Sequence, residues 1–295
     1  MAKFSNWMKF INGNVILSEL SIPGTHDSGS YDTWYGTEAY TGKCQTLNLH
    51  EQLCRKGIRF LDIRCRTYKD SLWVVHNFTD RSISFDYVLE ICFEFLKTNP
   101  TETIIISLKQ DYGKDKEEFS KIFQEKYVHP YQDLWFLENE IPNLSEVRGR
   151  LVLIRRFEAA NIGIDASPDK WLNNTTFEIT LDKQYLKIQD HYQVNYANNK
   201  WSDVSSHLNN AREEAKKKEF WYLNFTSGYV KDYYLLPNVK TVSNYVNKKL
   251  SEYPFNQKTS YGTIIMDFID IIDEKNYDIC KKIINTNLNA DAEIK

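Results

Sequence analysis

Short apolar, β-branched runs alternate along the chain with stretches whose apolar residues recur every three or four positions. That rhythm predicts strands and helices in turn. Strands are expected at 17–22, 58–64, 72–76, 103–109, 151–156, 186–189, 221–225 and 263–268. Helices are expected at 49–56, 87–97, 116–127, 204–218, 242–253 and 277–288. Asn99-Pro100 closes the second helix, because proline has no N–H to continue the ladder. Strands interleaved with helices in this way predict an α/β fold: one domain over 1–295 built as a TIM (β/α)8 barrel. The link from 58–64 to 72–76 is too short for a helix, so the barrel is expected to be distorted. A doubly wound open sheet is the competing architecture, but no G-x-G-x-x-G follows the first strand.

Composition narrows the function classes. The chain is 42% hydrophobic and 26% charged, which is ordinary for a globular protein and gives no sign of disorder. Its net charge of -3 speaks against a nucleic-acid partner. The basic run Lys216-Lys217-Lys218 is flanked by Glu213, Glu214 and Glu219 and reads as a solvated helix face. Five cysteines (44, 54, 65, 92 and 280) are an odd number without C-x-x-C spacing, which argues against a disulfide framework or a zinc site. Cys54 and Cys92 fall in helical patterns and are expected to pack as small apolar residues. No run reaches the length of a membrane span. The first seven residues lack the apolar stretch of a signal peptide, leaving a cytoplasmic chain or the mature form of a secreted one as expectations.

Chemistry-bearing residues share an address at the ends of the expected strands: His26 and Asp27, Asp62 and Arg64, His76, Lys109, Arg156, Asp190 and Asp267. In parallel barrels the C-terminal ends of the strands carry the site. Asp62 and Arg64 are two apart, so in a strand they leave on one face. Any one of these groups could be a salt bridge at the barrel mouth, but so many together point to a site. Two imidazoles and a guanidinium suit phosphoryl transfer without a metal. One imidazole takes a proton from the attacking hydroxyl, the other gives one to the leaving oxygen, and the arginine holds the phosphate charge. His50, His129, His191 and His207 lie in helical or loop contexts and are expected to be surface or structural.

Ser21-Ile22-Pro23-Gly24-Thr25-His26-Asp27-Ser28, Gln45, Leu53, Gly57-Ile58-Arg59-Phe60-Leu61-Asp62-Ile63-Arg64 and the strand ending in His76 together resemble the catalytic X domain of phosphatidylinositol-specific phospholipases C of the small bacterial type. Looser likeness runs through 102–109, 153–156 and 264–268. The resemblance implies a distorted TIM barrel that cleaves phosphatidylinositol to diacylglycerol and inositol 1,2-cyclic phosphate. It implies His26 as general base on the inositol 2-hydroxyl, oriented by Asp267, and His76 as general acid partnered by Asp27. Arg64 would bind the phosphate oxygens with help from Asp62. Lys109, Arg156 (or Arg155, one residue away), Asp190 and the ring of Tyr192 would hold the inositol.

Residue 64 bears on the cofactor question. Calcium-dependent eukaryotic relatives have an acidic residue there, whereas here a guanidinium stands in the ion's place, so no cofactor and no metal are expected. The implied partner is phosphatidylinositol at a membrane surface, with glycosylphosphatidylinositol anchors as further candidates and the chain acting as a monomer. Aromatic loops at Tyr31, Trp34, Tyr35 and Tyr40, and at Tyr229, Val230, Tyr233, Tyr234, Leu235 and Leu236, are expected to meet the membrane or to pack as long loops. Two rivals remain: a glycerophosphodiester phosphodiesterase, which would need carboxylates around a metal, and a phosphoinositide-binding protein on an inactive barrel.

Overall fold

The apolar runs curl into a sheet of parallel strands wrapped by helices. The computed structural model describes all residues except 32–41, 77–78, 112–115, 232–236, 271–277 and 295, and leaves out the side chains of 76, 79–82 and 237. In chain order the strands are β1 (Ile22–Thr25), β2 (Phe60–Tyr68), β3 (Ser71–His76), β4 (Thr79–Ser84), β5 (Ile104–Gln110), β6 (Trp135–Phe136) and β7 (Leu151–Arg156). They continue as β8 (Ile164–Asp165), β9 (Thr176–Leu181), β10 (Gln184–Gln189), β11 (Phe220–Phe225), β12 (Val230–Lys231), β13 (Pro237–Asn238) and β14 (Thr263–Met266). The main helices are α1 (Leu49–Arg55), α2 (Phe85–Thr98), α3 (Lys116–Ile122), α4 (Leu144–Val147), α5 (Ala197–Glu213), α6 (Val239–Glu252) and α7 (Ile279–Asn285).

Sheet neighbours follow the order β6-β7-β5-β2-β1-β14-β11-β10-β9. Every pair from β6 to β10 is parallel, and β9 closes the row antiparallel to β10. Among the described residues no ladder joins the two ends of this row, so the barrel has a seam. The distortion expected at 58–76 is a hairpin. β3 pairs antiparallel with the outer half of β2, and β4 with β3. The run ending in His76 is therefore a hairpin strand above the barrel, not one of its parallel staves.

Other boundaries moved as well. The strand expected at 17–22 is a short 3-10 turn at Leu17–Glu19, and the stave is Ile22–Thr25. Its Gly24 allows the close approach of β2: a Cβ there would lie 2.9 Å from the Phe60 Cβ. The expected helix at 116–127 is α-helical only to Ile122 and continues as a wide π-turn.

Alternation sorts the strand residues onto two faces. Ile22, Phe60, Ile105, Val152, Ile154, Ile188, Leu223 and Ile265 pack inside the barrel. Leu61, Ile63, Ile106, Leu108, Leu153 and Met266 pack outward, against Leu89 and Cys92 of α2, Val204 and Leu208 of α5, and Val242 and Val246 of α6. Each such side chain removed from water contributes about 1.5–3 kcal/mol. Helix starts follow local chemistry: Asn48 and Ser84 accept hydrogen bonds from Glu51 N–H and Tyr87 N–H at the starts of α1 and α2.

Candidate active site

The inward row continues past the apolar layer into charge. On β2 the series Phe60, Asp62, Arg64 shares one face, and the register sets Arg64 beside Lys109 of β5, and Lys109 beside Arg156 of β7. Three cations thus stand in one layer across three adjacent strands, roughly 5 Å between neighbours. The same parity separates two adjacent arginines. Arg156 faces the barrel mouth, whereas Arg155 turns outward to the carbonyls of Ile162 and Phe157 and to Asp165. Of the two, Arg156 is therefore the one that lines the mouth.

Carboxylates interleave with these cations. Asp62, fully buried, accepts from Arg64 Nε and Nη2 at 3.3 Å each with one oxygen, and from Arg156 Nη1 at 3.1 Å with the other. Burial pushes its pKa up, but the two guanidiniums prevail and hold it at about 2. Lys109 Nζ donates to Asp111 at 2.8 Å. Asp27 lies 3.6 Å from Arg64 Nε. Fully surrounded by such charge, Arg64 stays protonated, its pKa raised by Asp27 and Asp62 against the cost of burial.

Strands β1 and β14 end together, Thr25 paired with Met266. The next residues, His26 and Asp267, are therefore neighbours, and both are followed by a left-handed residue: Asp27 at φ 43° and Phe268 at φ 49°. Such values are unusual for non-glycine residues and cluster where function constrains the backbone. Two buried amides hold the turns. Gln45 Nε2 donates to the His26 and Met266 carbonyls (2.8 and 2.9 Å), and Asn247 Nδ2 to those of Asp267 and Phe268 (2.9 and 3.2 Å).

Within this frame His26 Nδ1 lies 2.8 Å from Asp267 Oδ1, and its Nε2 lies 2.7 Å from Arg64 Nη2. Arginine can only donate, so Nε2 accepts and the ring proton resides on Nδ1. Burial lowers the His26 pKa and Asp267 raises it; Arg64 opposes and Asp27 assists, and the carboxylates prevail, leaving it above its ordinary value. For Asp267 burial prevails and raises the pKa despite His26. An imidazole whose Nδ1 proton is held by a carboxylate keeps its Nε2 lone pair for a hydrogen-bond donor, here Arg64.

His26, Arg64, Lys109, Asp111, Arg156, Asp190, Tyr192 and Asp267 line a cavity of about 560 Å³, a size suited to a small polar ligand. Asp27 and Asp62 lie behind it, buried. His76 ends β3, paired with Thr79; its side chain is outside the described residues. Trp34, Tyr35, Tyr40, Tyr233, Tyr234, Leu235 and Leu236 also lie outside them. Of the aromatic loops, Tyr229 lines the cavity and packs on Tyr192 with ring centroids 6.1 Å apart.

The remaining histidines divide. His207 is buried, bonded to the Lys187 carbonyl at 3.1 Å, with its pKa pushed down to about 4 by burial. His191 pairs with Asp203 at 2.9 Å.

A model for the X domain of phosphatidylinositol-specific phospholipase C matches residues 20–157. A 1-phosphatidylinositol phosphodiesterase of Staphylococcus aureus is 30% identical over 296 residues, covering 96% of this chain and 94% of its own. The chain belongs to the phosphatidylinositol-specific phospholipase C family. A solved variant of the Staphylococcus aureus phosphatidylinositol-specific phospholipase C superposes with a TM-score of 0.87 at 29% identity, covering 96% of this chain and 97% of that one. The enzyme of Listeria monocytogenes superposes with a TM-score of 0.77 at 26% identity, over 98% of this chain and 100% of that one. The distorted TIM barrel is thus that of the bacterial phospholipases C.

In this phospholipase C barrel, Asp111 and Trp171 stand at the mouth without having been expected there. Asp111 follows Lys109 by two residues, and the same alternation that paired Asp62 with Arg64 could have found it. Trp171 had no such signal. It comes from the loop between β8 and β9, and Arg156 stacks 3.6 Å from its ring centre while its Nε1–H donates to Asp190 Oδ2 at 3.0 Å. Trp171 therefore ties β7 to the end of β10 across the seam, where no ladder among the described residues does so.

Proposed function

We propose that the chain is a metal-independent phosphatidylinositol phosphodiesterase that yields diacylglycerol and inositol 1,2-cyclic phosphate. The observation that carries this reading is His26, with Nδ1 on Asp267 and an unprotonated Nε2 accepting from Arg64. When the substrate phosphate enters, its oxygens take over the Arg64 N–H groups and Nε2 is released to the inositol 2-hydroxyl. The hydroxyl oxygen attacks phosphorus, its proton passes to Nε2, and the bond from phosphorus to the glycerol oxygen breaks. His76, with Asp27 as its carboxylate, donates the proton that this oxygen needs. Each imidazole role is worth about 10²–10⁴ in rate.

Lys109, Arg156, Asp190 and the Tyr192 ring hold the inositol. The charges of Lys109 and Arg156 are already matched by Asp111 and Asp62, which favours an unphosphorylated ring. Every group named comes from one chain, so a monomer at a membrane surface suffices. Glycosylphosphatidylinositol anchors present the same headgroup bond and are further candidates. No helix among the described residues is long and apolar enough to cross a membrane.

Phosphorus NMR of phosphatidylinositol micelles with protein and EDTA tests the reading. A cyclic phosphodiester resonance is expected with the unaltered chain, and none on the same timescale with His26→Ala or His76→Ala. Loss of activity in EDTA with recovery on adding calcium would overturn the metal-independent mechanism.

A further inference from the structure

Cys44 lies far from His26 and Asp267 in sequence, and spacing alone gave no reason to connect them. The fold brings them together. A ring nitrogen of His26, the Cys44 Sγ and a carboxylate oxygen of Asp267 all lie within 4.8 Å of one another. Cys44 is held there by its backbone. Its N–H donates to the Ser30 carbonyl at 3.0 Å, and its carbonyl accepts from Phe268 N–H at 2.8 Å. All three residues line the same cavity. Asp267 is 1% exposed, and among the described residues its Oδ2 is buried without a hydrogen-bond partner.

We propose that His26, Cys44 and Asp267 form a binding site for a thiophilic divalent cation of the zinc class, and that its occupation switches the enzyme off. The donor set decides the class. Calcium and magnesium call for cages of oxygen, whereas one nitrogen, one sulfur and one carboxylate suit zinc, cadmium or cobalt. Three protein ligands leave the fourth tetrahedral position to a water in the cavity. At ordinary zinc–ligand lengths neighbouring donors sit about 3.5 Å apart, so a separation near the 4.8 Å limit has to close, while His26 Nδ1 and Asp267 Oδ1, 2.8 Å apart, would have to open if both were ligands. Binding releases the thiol proton, and affinity therefore rises with pH.

Inhibition follows from either ring nitrogen, on the reading that His26 is the base. A cation on Nε2 occupies the lone pair that takes the hydroxyl proton. A cation on Nδ1 replaces the Asp267 hydrogen bond and moves the ring proton onto Nε2, with the same result and with Arg64 facing a donor in place of an acceptor. The site thus competes with catalysis for one imidazole.

The test separates binding from function. Metal-free protein is titrated with cobalt(II), and a near-ultraviolet thiolate-to-cobalt band is expected to saturate at one equivalent. The band should vanish in Cys44→Ser and in Cys44→Ala, each shown folded by its melting curve. It should persist in Cys54→Ser, which removes the half-exposed thiol 3.5 Å from His50. In parallel, zinc should suppress phosphatidylinositol cleavage by the unaltered chain, and Cys44→Ser should need more than about 100-fold as much zinc for the same suppression, since losing even an outer partner of a ligand costs about 10–100-fold. Absence of the band, or its survival without Cys44, overturns the site. A Cys44-dependent band with undiminished turnover overturns the inhibition and tells against His26 as base, not against the site.

Discussion

Arg64→Ala lowers kcat for phosphatidylinositol cleavage by about 10²–10³-fold, the loss typical when a preorganised donor to developing charge is removed. Arg64 is fixed before substrate arrives: Asp62 holds Nε and Nη2, Asp27 lies alongside, and no reorganisation is needed as charge builds on phosphorus. Lysine should restore little, because a single ammonium cannot offer two parallel N–H groups to two phosphate oxygens. The change also has a pH signature. Arg64 lowers the His26 pKa, so its removal raises that pKa, and the acid limb of the kcat/KM profile moves to higher pH. Steady-state kinetics on phosphatidylinositol and on a water-soluble inositol phosphodiester check this, with loss of kcat expected on both. A rise in KM with kcat preserved would make Arg64 a binding residue and nothing more.

Arg59→Ala destabilises the fold by about 3–5 kcal/mol, the cost of leaving one member of a buried pair without its partner. Arg59 and Glu102 are both fully buried, with guanidinium and carboxylate 2.8 Å apart. The remaining guanidinium donors reach the carbonyls of Leu53, Ile58 and Phe4, and Glu102 accepts the backbone N–H groups of Met8 and Lys9. The pair therefore fastens the N-terminal segment and the end of α1 beneath the barrel. Chemical denaturation should show the loss, and Tm should fall by roughly 10 °C at about 2–4 °C per kcal/mol. Arg59→Met with Glu102→Leu should recover part of it, since an apolar pair leaves no charge uncompensated. A destabilisation under about 1 kcal/mol for the single change would contradict this role.

These two arginines sit five residues apart in one motif and do opposite work. Arg59 stands at the N-terminal end of the stave, where a barrel keeps its stability, and Arg64 at the C-terminal end, where it keeps its chemistry. The motif displays both residues, but only the direction of the strand tells them apart. The site was legible for the same reason: alternation carried Asp62 to Arg64, and the inward series of β2, β5 and β7 end in the charged groups Arg64, Lys109 and Arg156. Where the sequence offered two arginines at 155 and 156, the register of β7 on β5 chose between them.

Other elements escaped because their signal is weak or lies elsewhere. Pro23 and Gly24 disfavour strand on propensity, so the apolar pattern places the first stave ahead of its true position, yet only glycine fits against Phe60. β10 matches the strand expected at 186–189, but its antiparallel partner β9 lies outside the expected strands although it alternates exposed and buried residues over Thr176–Leu181. Trp171 and Cys44 come from loops without periodicity, and only the folded chain brings them to the mouth.

The most direct measurement is nitrogen-15 NMR of the His26 ring on the alkaline side of its titration, assigned by difference against His26→Gln among the six histidines. The account predicts a neutral ring protonated on Nδ1, the less usual tautomer, with that proton bonded to Asp267 and the preference lost in Asp267→Ala. A ring protonated on Nε2 in the unaltered chain would contradict it, since the atom required to take the hydroxyl proton would already hold one.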